Sequence, residues 1–532
     1  MPTGSGTESI PRCSACGAIH MSPGFIEPSL GTTHHRLLNS NEPPVESETA
    51  FIRDLVSKSD HNLAIIDAEI STLQTRIGTL RAQRASLLDF RRRTRSVTSL
   101  LRRMPPELLR EIFHWSMPRL KSRAVDIQRS PWLLTHVCSQ WRTVALAMPS
   151  LWSLFYLQYS ALDDAQPAYS LPLVELQLQR AQKLKIHFYG NSALHSQPQT
   201  AIFRLLADHC TRWEELSLGL TPDIAPLLND LRDRIPYLQK LWIQWTSRED
   251  QGATHSIDCF QMAPALHDVG IYYGFNFVEV PLPAHQLTRY ESDCGIEQHL
   301  RMLKMAPNLV EAHVDIDWAP ASDIRHEEIE MLHLRRLYVS NPKFLPFLRV
   351  PALEELSLEI LDDYDEDDKR VPSYLFSLLD RSSCSLRRLC VRGFAADEIN
   401  TLLLQVPSIT ELLIIGQFAT ELDRSVASLH VPNRNPTDSK PMAPQLRRIC
   451  FACEEEIPMN YVEYAEMVKS RWKMHARALE EAALLVENGP KLDAVTTSIL
   501  RSPSLEGLRF LLLEGPVATE EIKRWYFRTT WN

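Results

Sequence analysis

The sequence predicts an α/β protein in which a heptad helix and a small helical module precede a long solenoid with a parallel sheet on its concave face. Three observations predict this fold. An L-x-x-L-x-L kernel recurs twelve times after residue 170, as expected of stacked strand-and-turn repeats. A charged residue precedes the second apolar position of eleven successive kernels, and its sign alternates throughout. Between residues 60 and 90, apolar residues recur in steps of three and four, which is the period of a helix.

Composition argues against several classes of function. The chain has 532 residues with only 17 glycines, and it contains no G-x-G-x-x-G, G-x-x-x-x-G-K-[ST], G-x-S-x-G or H-E-x-x-H motif. These motifs bind phosphate, carry a nucleophile or bind zinc. We therefore expect no enzymatic activity and no cofactor. The net charge of −9 also argues against specific nucleic-acid binding by the whole chain.

The compartment is predicted from segments that the sequence lacks. There is no basic stretch followed by an apolar core near Met1, and no run of 18 apolar residues occurs later, so we expect neither secretion nor membrane insertion. Ten cysteines lie scattered over the chain, as in proteins that keep their thiols reduced. We expect a cytoplasmic protein, a nuclear protein, or one found in both compartments.

Residues 1–49 are predicted to be a disordered tail, because they are rich in Pro, Ser, Gly, Thr and Asn and show no sustained apolar period. Cys13 and Cys16 form a C-x-x-C pair that could bind zinc together with histidines further along the tail. The histidines, His20, His34 and His35, are poorly spaced for such a site, so ordinary tail residues are the alternative. A second C-x-x-C pair, Cys450 and Cys453, lies in a predicted strand and is interpreted as free thiols.

Residues 50–96 are predicted to form a helix with a heptad seam. The seam consists of Leu63, Ile66, Ile70, Leu73, Ile77, Leu80 and Leu87. Two interpretations remain open. The seam pairs two copies of the chain as a coiled coil through residues 60–90, or it packs on another part of the same chain.

Residues 97–160 are predicted to be a helical module. Met104-Pro105-Pro106-Glu107-Leu108 opens a helix, because proline suits the first turn, and an apolar stripe follows it. Further on come Val137-Cys138-Ser139-Gln140-Trp141-Arg142 and then Leu151-Trp152. In order and composition these segments resemble the F-box, a helical module of about fifty residues. A generic small helical bundle would bury similar Trp and Leu residues and is the alternative.

The resemblance implies a partner and a docking surface. F-box proteins dock on a Skp-type adaptor, which joins them to a cullin–RING ubiquitin ligase. The positions that match the family's pattern are Pro105, Glu107, Leu108, Ile112, Phe113, Val137, Trp141, Leu151 and Trp152. The order of heptad helix, F-box-like module and leucine-rich repeats is also similar to a group of F-box proteins abundant in fungi.

Residues 170–532 are predicted to be the solenoid, formed by irregular leucine-rich repeats whose kernels are mostly 19 to 28 residues apart. If successive strands pair in parallel, the charges that precede each second apolar position form one column of alternating sign. Its predicted members are Lys183, Glu215, Lys240, Asp268, Arg289, Glu311, Arg336, Glu355, Arg388, Glu411 and Arg448. Prolines stand two residues before seven kernels, where they would end the preceding turn or helix. These are Pro236, Pro264, Pro307, Pro351, Pro407, Pro444 and Pro503.

Candidate substrate-binding residues lie beside this column on the predicted concave face. They are Trp242, Tyr272, His313, Tyr338 and Arg392. Exposed aromatic side chains are enriched where proteins bind one another. The alternative is that these aromatic rings pack within the sheet. Metal binding by His313 is a further alternative.

Two segments interrupt the repeats. Residues 362–368 contain six acids in seven positions and are predicted to be a solvated loop that could dock a basic partner. Residues 460–487 are predicted to form an amphipathic helix that accounts for the longest gap between kernels.

These features predict a substrate-recognition subunit of an SCF-type ubiquitin ligase. The F-box-like module would bind the adaptor, and the repeats would capture an unknown protein destined for ubiquitin-dependent degradation. The alternative is a leucine-rich-repeat scaffold outside any ligase, dimerised through the heptad helix.

Overall fold

The structure is a computed structural model. It describes residues 30–117, 126–159, 169–245, 247–252, 256–274, 276–316, 327–360, 371–416, 419–431, 442–453, 459–473, 478–486, 495, 498 and 507–527. These residues fall into two compact units, Met1–Pro105 and Pro106–Asn532.

The first unit is helical. Helix α1 spans Thr33–Leu38, helix α2 spans Glu46–Val97, and a 3-10 turn spans Leu100–Arg103. The predicted helix is present and begins earlier than predicted, at Glu46. Glu46 and Glu48 lie in its first turn, where acidic side chains interact favourably with the positive end of the helix dipole. The predicted tail is wrong for residues 33–38, which are helical. Residues 1–29, including Cys13, Cys16 and His20, lie outside the described part.

The second unit begins with the helical module. Helices α3 (Pro106–Ser116), α4 (Leu134–Val137) and α5 (Ser139–Leu146) precede a 3-10 turn at Pro149–Trp152. Pro106 occupies the first position of α3, as the sequence predicts. The module is shorter than the range 97–160, because Leu154 already begins the first strand of the sheet.

A 14-stranded parallel sheet dominates the second unit, and its strands lie side by side in the order of the chain. The strands are β1 (Leu154–Gln158), β2 (Leu184–Tyr189), β3 (Trp213–Leu220), β4 (Lys240–Trp245), β5 (Asp268–Tyr272), β6 (Arg289–Asp293), β7 (Glu311–Asp315), β9 (Arg336–Val339), β11 (Glu355–Glu359), β12 (Arg388–Arg392), β13 (Glu411–Gly416), β14 (Arg448–Cys453), β15 (Glu481–Val486) and β16 (Arg509–Glu514). Two short strands, β8 (Ile329–Glu330) and β10 (Leu348–Arg349), pair separately. Parallel neighbours joined in chain order make the fold α/β and solenoid-like.

The charged column is present and is longer than predicted. It runs through thirteen strands as Lys185, Glu215, Lys240, Asp268, Arg289, Glu311, Arg336, Glu355, Arg388, Glu411, Arg448, Glu481 and Arg509. Opposite charges on neighbouring strands come as close as 2.6 Å, both at Arg289 with Glu311 and at Arg448 with Glu481. From β4 onward, every strand of this sheet begins at its column residue. The alternation of sign therefore predicted the register.

Three details of the repeat prediction are wrong. The first kernel is displaced by two residues, so Lys185 and not Lys183 pairs with Glu215. The last column residue is Arg509, which places the last kernel two residues later than predicted. Residues 460–487 contain helix α13 followed by strand β15, and are not one helix. The acidic segment 362–368 lies outside the described residues.

Prolines mark the repeat boundaries as predicted. Pro236, Pro264, Pro307, Pro351, Pro407 and Pro444 each lie in a turn, four residues before the column residue of the next strand. The fixed φ and missing N–H of proline suit such a turn. Pro503 lies outside the described residues.

Helices follow most of the strands. They are α6 (Leu171–Arg180), α7 (Ser196–Ala207), α8 (Arg248–Gly252), α9 (Ile296–Met305), α10 (Val371–Ser382), α11 (Ala396–Gln405), α12 (Ala419–Leu429), α13 (Tyr461–Trp472) and α14 (Pro516–Trp525). The kernel leucines point to the sheet face that α7 and α13 cover. There Phe188 packs on Phe203 of α7 at 5.3 Å and Phe451 packs on Tyr464 of α13 at 5.6 Å, both between ring centroids. This layer is the core.

Reversing one column charge tests whether the column stabilises the register. Arg336 contacts Glu311 at 2.7 Å and Glu355 at 3.5 Å. We expect Arg336→Glu to lower the free energy of unfolding by about 1 to 2 kcal/mol, because two exposed pairs are lost and replaced by repulsion. The matched control is Arg335→Glu, since Arg335 has a weaker contact, 3.9 Å from Glu354. Urea denaturation measures both variants, and equal losses would refute a special role for the column.

Candidate binding surfaces

The charged column lies on the sheet face opposite the core, which we call the column face. Side chains alternate between the faces of a strand, so the residues two and four positions after each column residue share this face. The column itself is held by ion pairs between neighbouring strands, with arginines contacting carboxylates on both sides. Any partner that meets this face therefore meets a charge pattern that is already largely paired.

Arg289 is the most enclosed member of the column. Its guanidinium lies 3.1 Å from Asp268, 2.6 Å from Glu291 and 2.6 Å from Glu311. It also donates a hydrogen bond of 2.7 Å to the backbone carbonyl of Phe527. Burial alone would lower the pKa of Arg289, but the three carboxylates raise it above its ordinary value. The site is an arginine that joins three strands to the C-terminal segment.

Two of the three predicted substrate-binding aromatics, Trp242 and Tyr338, are packed inside the protein. Trp242 is buried over Gly270, where an added Cβ would lie 2.2 Å from the indole, and its ring is 5.0 Å from that of Tyr272. Tyr338 is fully buried, stacks on His313 at 3.9 Å, and donates a hydrogen bond to Glu359. The expectation that Trp242 and Tyr338 are exposed is therefore wrong, and the alternative of packing on the sheet is confirmed.

The remaining candidates on this face differ in exposure. His313 is fully buried, like Tyr338 on which it stacks. Tyr272 and Arg392 are half-buried. Arg392 forms an ion pair with Glu359. Among the described residues, no three His, Cys, Asp or Glu side chains gather as a metal site. Only Tyr272 and Arg392 of the five candidates reach solvent in this structure.

A C-terminal segment covers part of the column face, which the repeat pattern of the sequence does not predict. Ala518, Ile522 and Trp525 of α14, followed by Tyr526 and Phe527, form one buried cluster with side chains of the column face. Those side chains are Tyr338, Cys390, Leu413, Ile415, Cys450, Ala452, Ala483 and Leu485. Residues 518, 522 and 525 have the spacing of one face of a helix. This spacing was the sequence signal that could have predicted a packed helix here.

The thiols under this segment are inert. Burial raises the pKa of Cys390 and of Cys450 to about 12, so both are protonated at neutral pH. Cys450 and Cys453 lie in β14 as predicted, and both are buried free thiols.

Asp293 is a buried carboxyl at the end of β6. It accepts backbone hydrogen bonds from Tyr273 at 2.5 Å and from Gly274 at 2.9 Å, and it pairs in register with Asp315. Burial raises the pKa of Asp293 to about 7; the N–H donors lower it, and the charge of Asp315 adds to the increase. The group therefore titrates near neutral pH.

This pKa predicts a pH dependence of stability. A carboxyl with a pKa near 7 in the folded state and about 3.9 in the unfolded state binds its proton more tightly when folded, so stability falls as pH rises from about 4 to 7. Between pH 5 and pH 8 we expect the wild type to lose about 2.5 kcal/mol more than Asp293→Asn. Urea denaturation at both pH values measures the difference. Asp223→Asn, at an exposed aspartate, should behave as the wild type, and identical pH profiles for all three proteins would contradict the assignment.

The helical module leaves several apolar side chains exposed. Leu108 and Ile112 on α3 and Val137 on α4 are 54%, 43% and 54% exposed. Glu107 beside them is exposed as well. These four residues belong to the set that matches the F-box pattern. Pro105, which ends the first unit, is also exposed.

The other matching residues form the core of the module. Phe113, Leu151 and Trp152 are buried, and half-buried Trp141 packs edge-on against Phe113 at 4.9 Å. Buried side chains position the helices but do not reach a partner. The expected direct contact with an adaptor is therefore restricted to the exposed residues of the set.

Taken together, these features define an α/β protein with a long parallel sheet, in which one face is partly covered by its own C-terminal segment. No protein-family model matches the chain, and no curated protein matches it. A crystal structure of a Bacteroides fragilis protein from a structural genomics consortium covers 57% of this chain and 86% of its own, with 14% sequence identity and a TM-score of 0.30. That score is too low to carry an inference.

In the part of the chain that the structure describes, no helix is long and apolar enough to cross a membrane.

Proposed function

We propose that this chain is the substrate-recognition subunit of an SCF-type ubiquitin ligase, with the helical module docking on a Skp-type adaptor and leucine-rich repeats binding the target. One observation carries the proposal. Within the F-box-like pattern, Leu108, Ile112 and Val137 remain exposed although other apolar residues of the same pattern are buried. Large apolar side chains that remain exposed on a small folded module are typical of an interaction site.

The proposed role requires no chemistry from this chain. Ubiquitin transfer would be carried out by the other ligase components, and this subunit would bring the target's lysines near them. Holding two reactants together in this way raises the rate through their effective concentration.

An adaptor pull-down tests the proposal. We expect the intact chain to bind a Skp-type adaptor and Leu108→Asp to weaken that binding at least tenfold, because a carboxylate would be desolvated in an apolar interface. The matched control is Leu404→Asp on helix α11, where the leucine is 67% exposed and lies outside the module. The control should bind as the wild type does.

Two results would contradict this assignment. Failure of the wild type to bind any Skp-type adaptor would rule out the ligase function. Equal binding by Leu108→Asp and Leu404→Asp would show that the docking surface lies elsewhere.

A dimeric scaffold is the second candidate, and the heptad seam favours it. All seven seam residues of α2 are between 37% and 67% exposed, so none of the residues that the structure describes buries them. A heptad seam is complementary to a second copy of itself. Light scattering should then give twice the mass of one chain, and Ile70→Lys together with Leu73→Lys should return the protein to a monomer. A monomeric wild type would exclude this scaffold.

A further inference from the structure

The column face changes its chemistry along the sheet. Two positions after the column residue, strands β2 to β11 carry mainly polar or aromatic residues, including His187, Ser217, Glu291, His313 and Ser357. Strands β12 to β16 carry Cys390, Leu413, Cys450, Ala483 and Leu511 at the same position. The later half of this face is therefore an apolar surface bordered by the charged column.

Helix α14 matches both parts of that surface. Trp525 is fully buried, and the guanidinium carbons of Arg388 and Arg448 lie 3.9 Å and 5.2 Å from its ring centroid. Glu521, one turn earlier, forms an ion pair of 2.9 Å with Arg448. Arginine over tryptophan and arginine with carboxylate are specific pairings. Column arginines thus recognise an acid and an aromatic ring four residues apart on one helix.

The segment continues this match beyond the helix. Tyr526 packs edge-on against Tyr338 with ring centroids 5.2 Å apart, and the carbonyl of Phe527 accepts the hydrogen bond from Arg289. Contacts from β6 to β15 therefore converge on residues 518–527.

Along the chain, α14 is joined to the sheet only at the edge of the sheet. It follows β16, an edge strand without a buried residue. Gly515 joins the two with a φ of +58°, a left-handed conformation that glycine adopts without strain. One face of α14 is open to solvent, as Val517 shows with 60% exposure. A helix joined to the sheet only at the edge strand can leave the column face while the strands beneath it stay paired, which is local opening without global unfolding.

We propose that residues 516–527 are a displaceable internal ligand of the column face, and that the target protein binds there through an amphipathic helix of the same chemistry. That helix carries a carboxylate and, four residues later, an aromatic ring. This inference rests on the proposed function for the identity of the partner as a ligase target. The packing of residues 516–527 on the column face does not depend on that function.

A labelled peptide of residues 515–527 tests the inference in the full-length protein. Ile522 is buried within the cluster, so Ile522→Asp should release α14 from the sheet, because burying an aspartate among these apolar side chains would desolvate its charge. The matched control is Val517→Asp on the solvent side of the same helix. By fluorescence anisotropy, Ile522→Asp should bind the peptide at least tenfold more tightly than either the wild type or Val517→Asp. A peptide carrying Trp525→Ala should bind at least tenfold more weakly.

Each outcome of this experiment is decisive. A folded Ile522→Asp protein that does not bind the peptide would overturn the inference, and so would equal binding by all three proteins. If Ile522→Asp does not fold, hydrogen exchange of the wild type decides: amides of α14 should exchange at least tenfold faster than those of β13, and equal rates would overturn the inference. Adaptor binding is measured separately, so loss of the ligase function and loss of this inference are distinguishable.

Discussion

Replacing Arg289 by methionine should lower the free energy of unfolding by about 3 to 5 kcal/mol. Removing one partner of a buried ion pair leaves the others uncompensated, which costs about this much. Here three carboxylates lose their shared cation, and one of them, Glu291, is almost completely buried. The carbonyl of Phe527 loses its donor as well. Chemical denaturation at neutral pH measures the loss.

Two further variants locate the cause of this loss. Arg289→Lys should be intermediate, because lysine retains the charge but lacks the planar fork that reaches two strands and a carbonyl at once. Arg301→Met is the control, since Arg301 is an exposed arginine 3.9 Å from Glu279. A loss below about 1 kcal/mol for Arg289→Met would contradict the buried ion-pair network.

Trp152→Ala should also destabilise the protein by about 3 to 5 kcal/mol, as expected for removing a buried tryptophan. Its indole is fully buried, donates a 3.0 Å hydrogen bond to the carbonyl of Ala145, and lies edge-on to Trp132 at 5.1 Å. The guanidinium carbon of Arg180 on α6 is 4.4 Å from the ring centroid. This side chain therefore joins the helical module to the first repeat. Trp115→Ala is the matched control, because Trp115 lies on the same module and is mostly exposed.

The same variant separates a structural role from a docking role. Below its unfolding transition, Trp152→Ala should still bind a Skp-type adaptor as the wild type does, because the buried indole does not reach a partner. Loss of binding by a fully folded Trp152→Ala protein would show that the buried residues of the module shape the docking surface.

The register of the sheet was predictable because its signal is local and periodic. Each strand pairs with the next strand of the chain, so opposite charges at one position of successive repeats lie side by side. The signal failed near the ends of the sheet, where the first and last kernels were displaced and strand β15 was predicted to be part of a helix. Lys183 and Lys185 carry the same charge, so alternation of sign could not distinguish them, and the backbone register shifts between Leu184 and Lys185.

Burial on the column face was not predictable in the same way. Trp242 is covered because Gly270 on the next strand leaves room for its indole. Tyr338 is covered because Tyr526, almost two hundred residues further along the chain, packs against it. A strand pattern tells which face a side chain points to, but not what lies above that face.

For the helical module, the sequence identified the residues but not their roles. Phe113 and Ile112 are adjacent on α3, and both match the same pattern. The helix turns about 100° per residue, so one of them is buried and the other exposed. Which side of the helix faces the core depends on α5, which supplies Trp141 against Phe113.

By itself, the sequence determined the α/β class, the order of most of the strands, and most of the charge column with the prolines that precede it. These features repeat along the chain and act between neighbouring repeats, so a periodic pattern is sufficient to predict them. Only the tertiary structure decided that α14 returns across the column face and that Arg289 joins three strands to Phe527. Such contacts occur once, between segments far apart in the chain, and no repeating pattern encodes them.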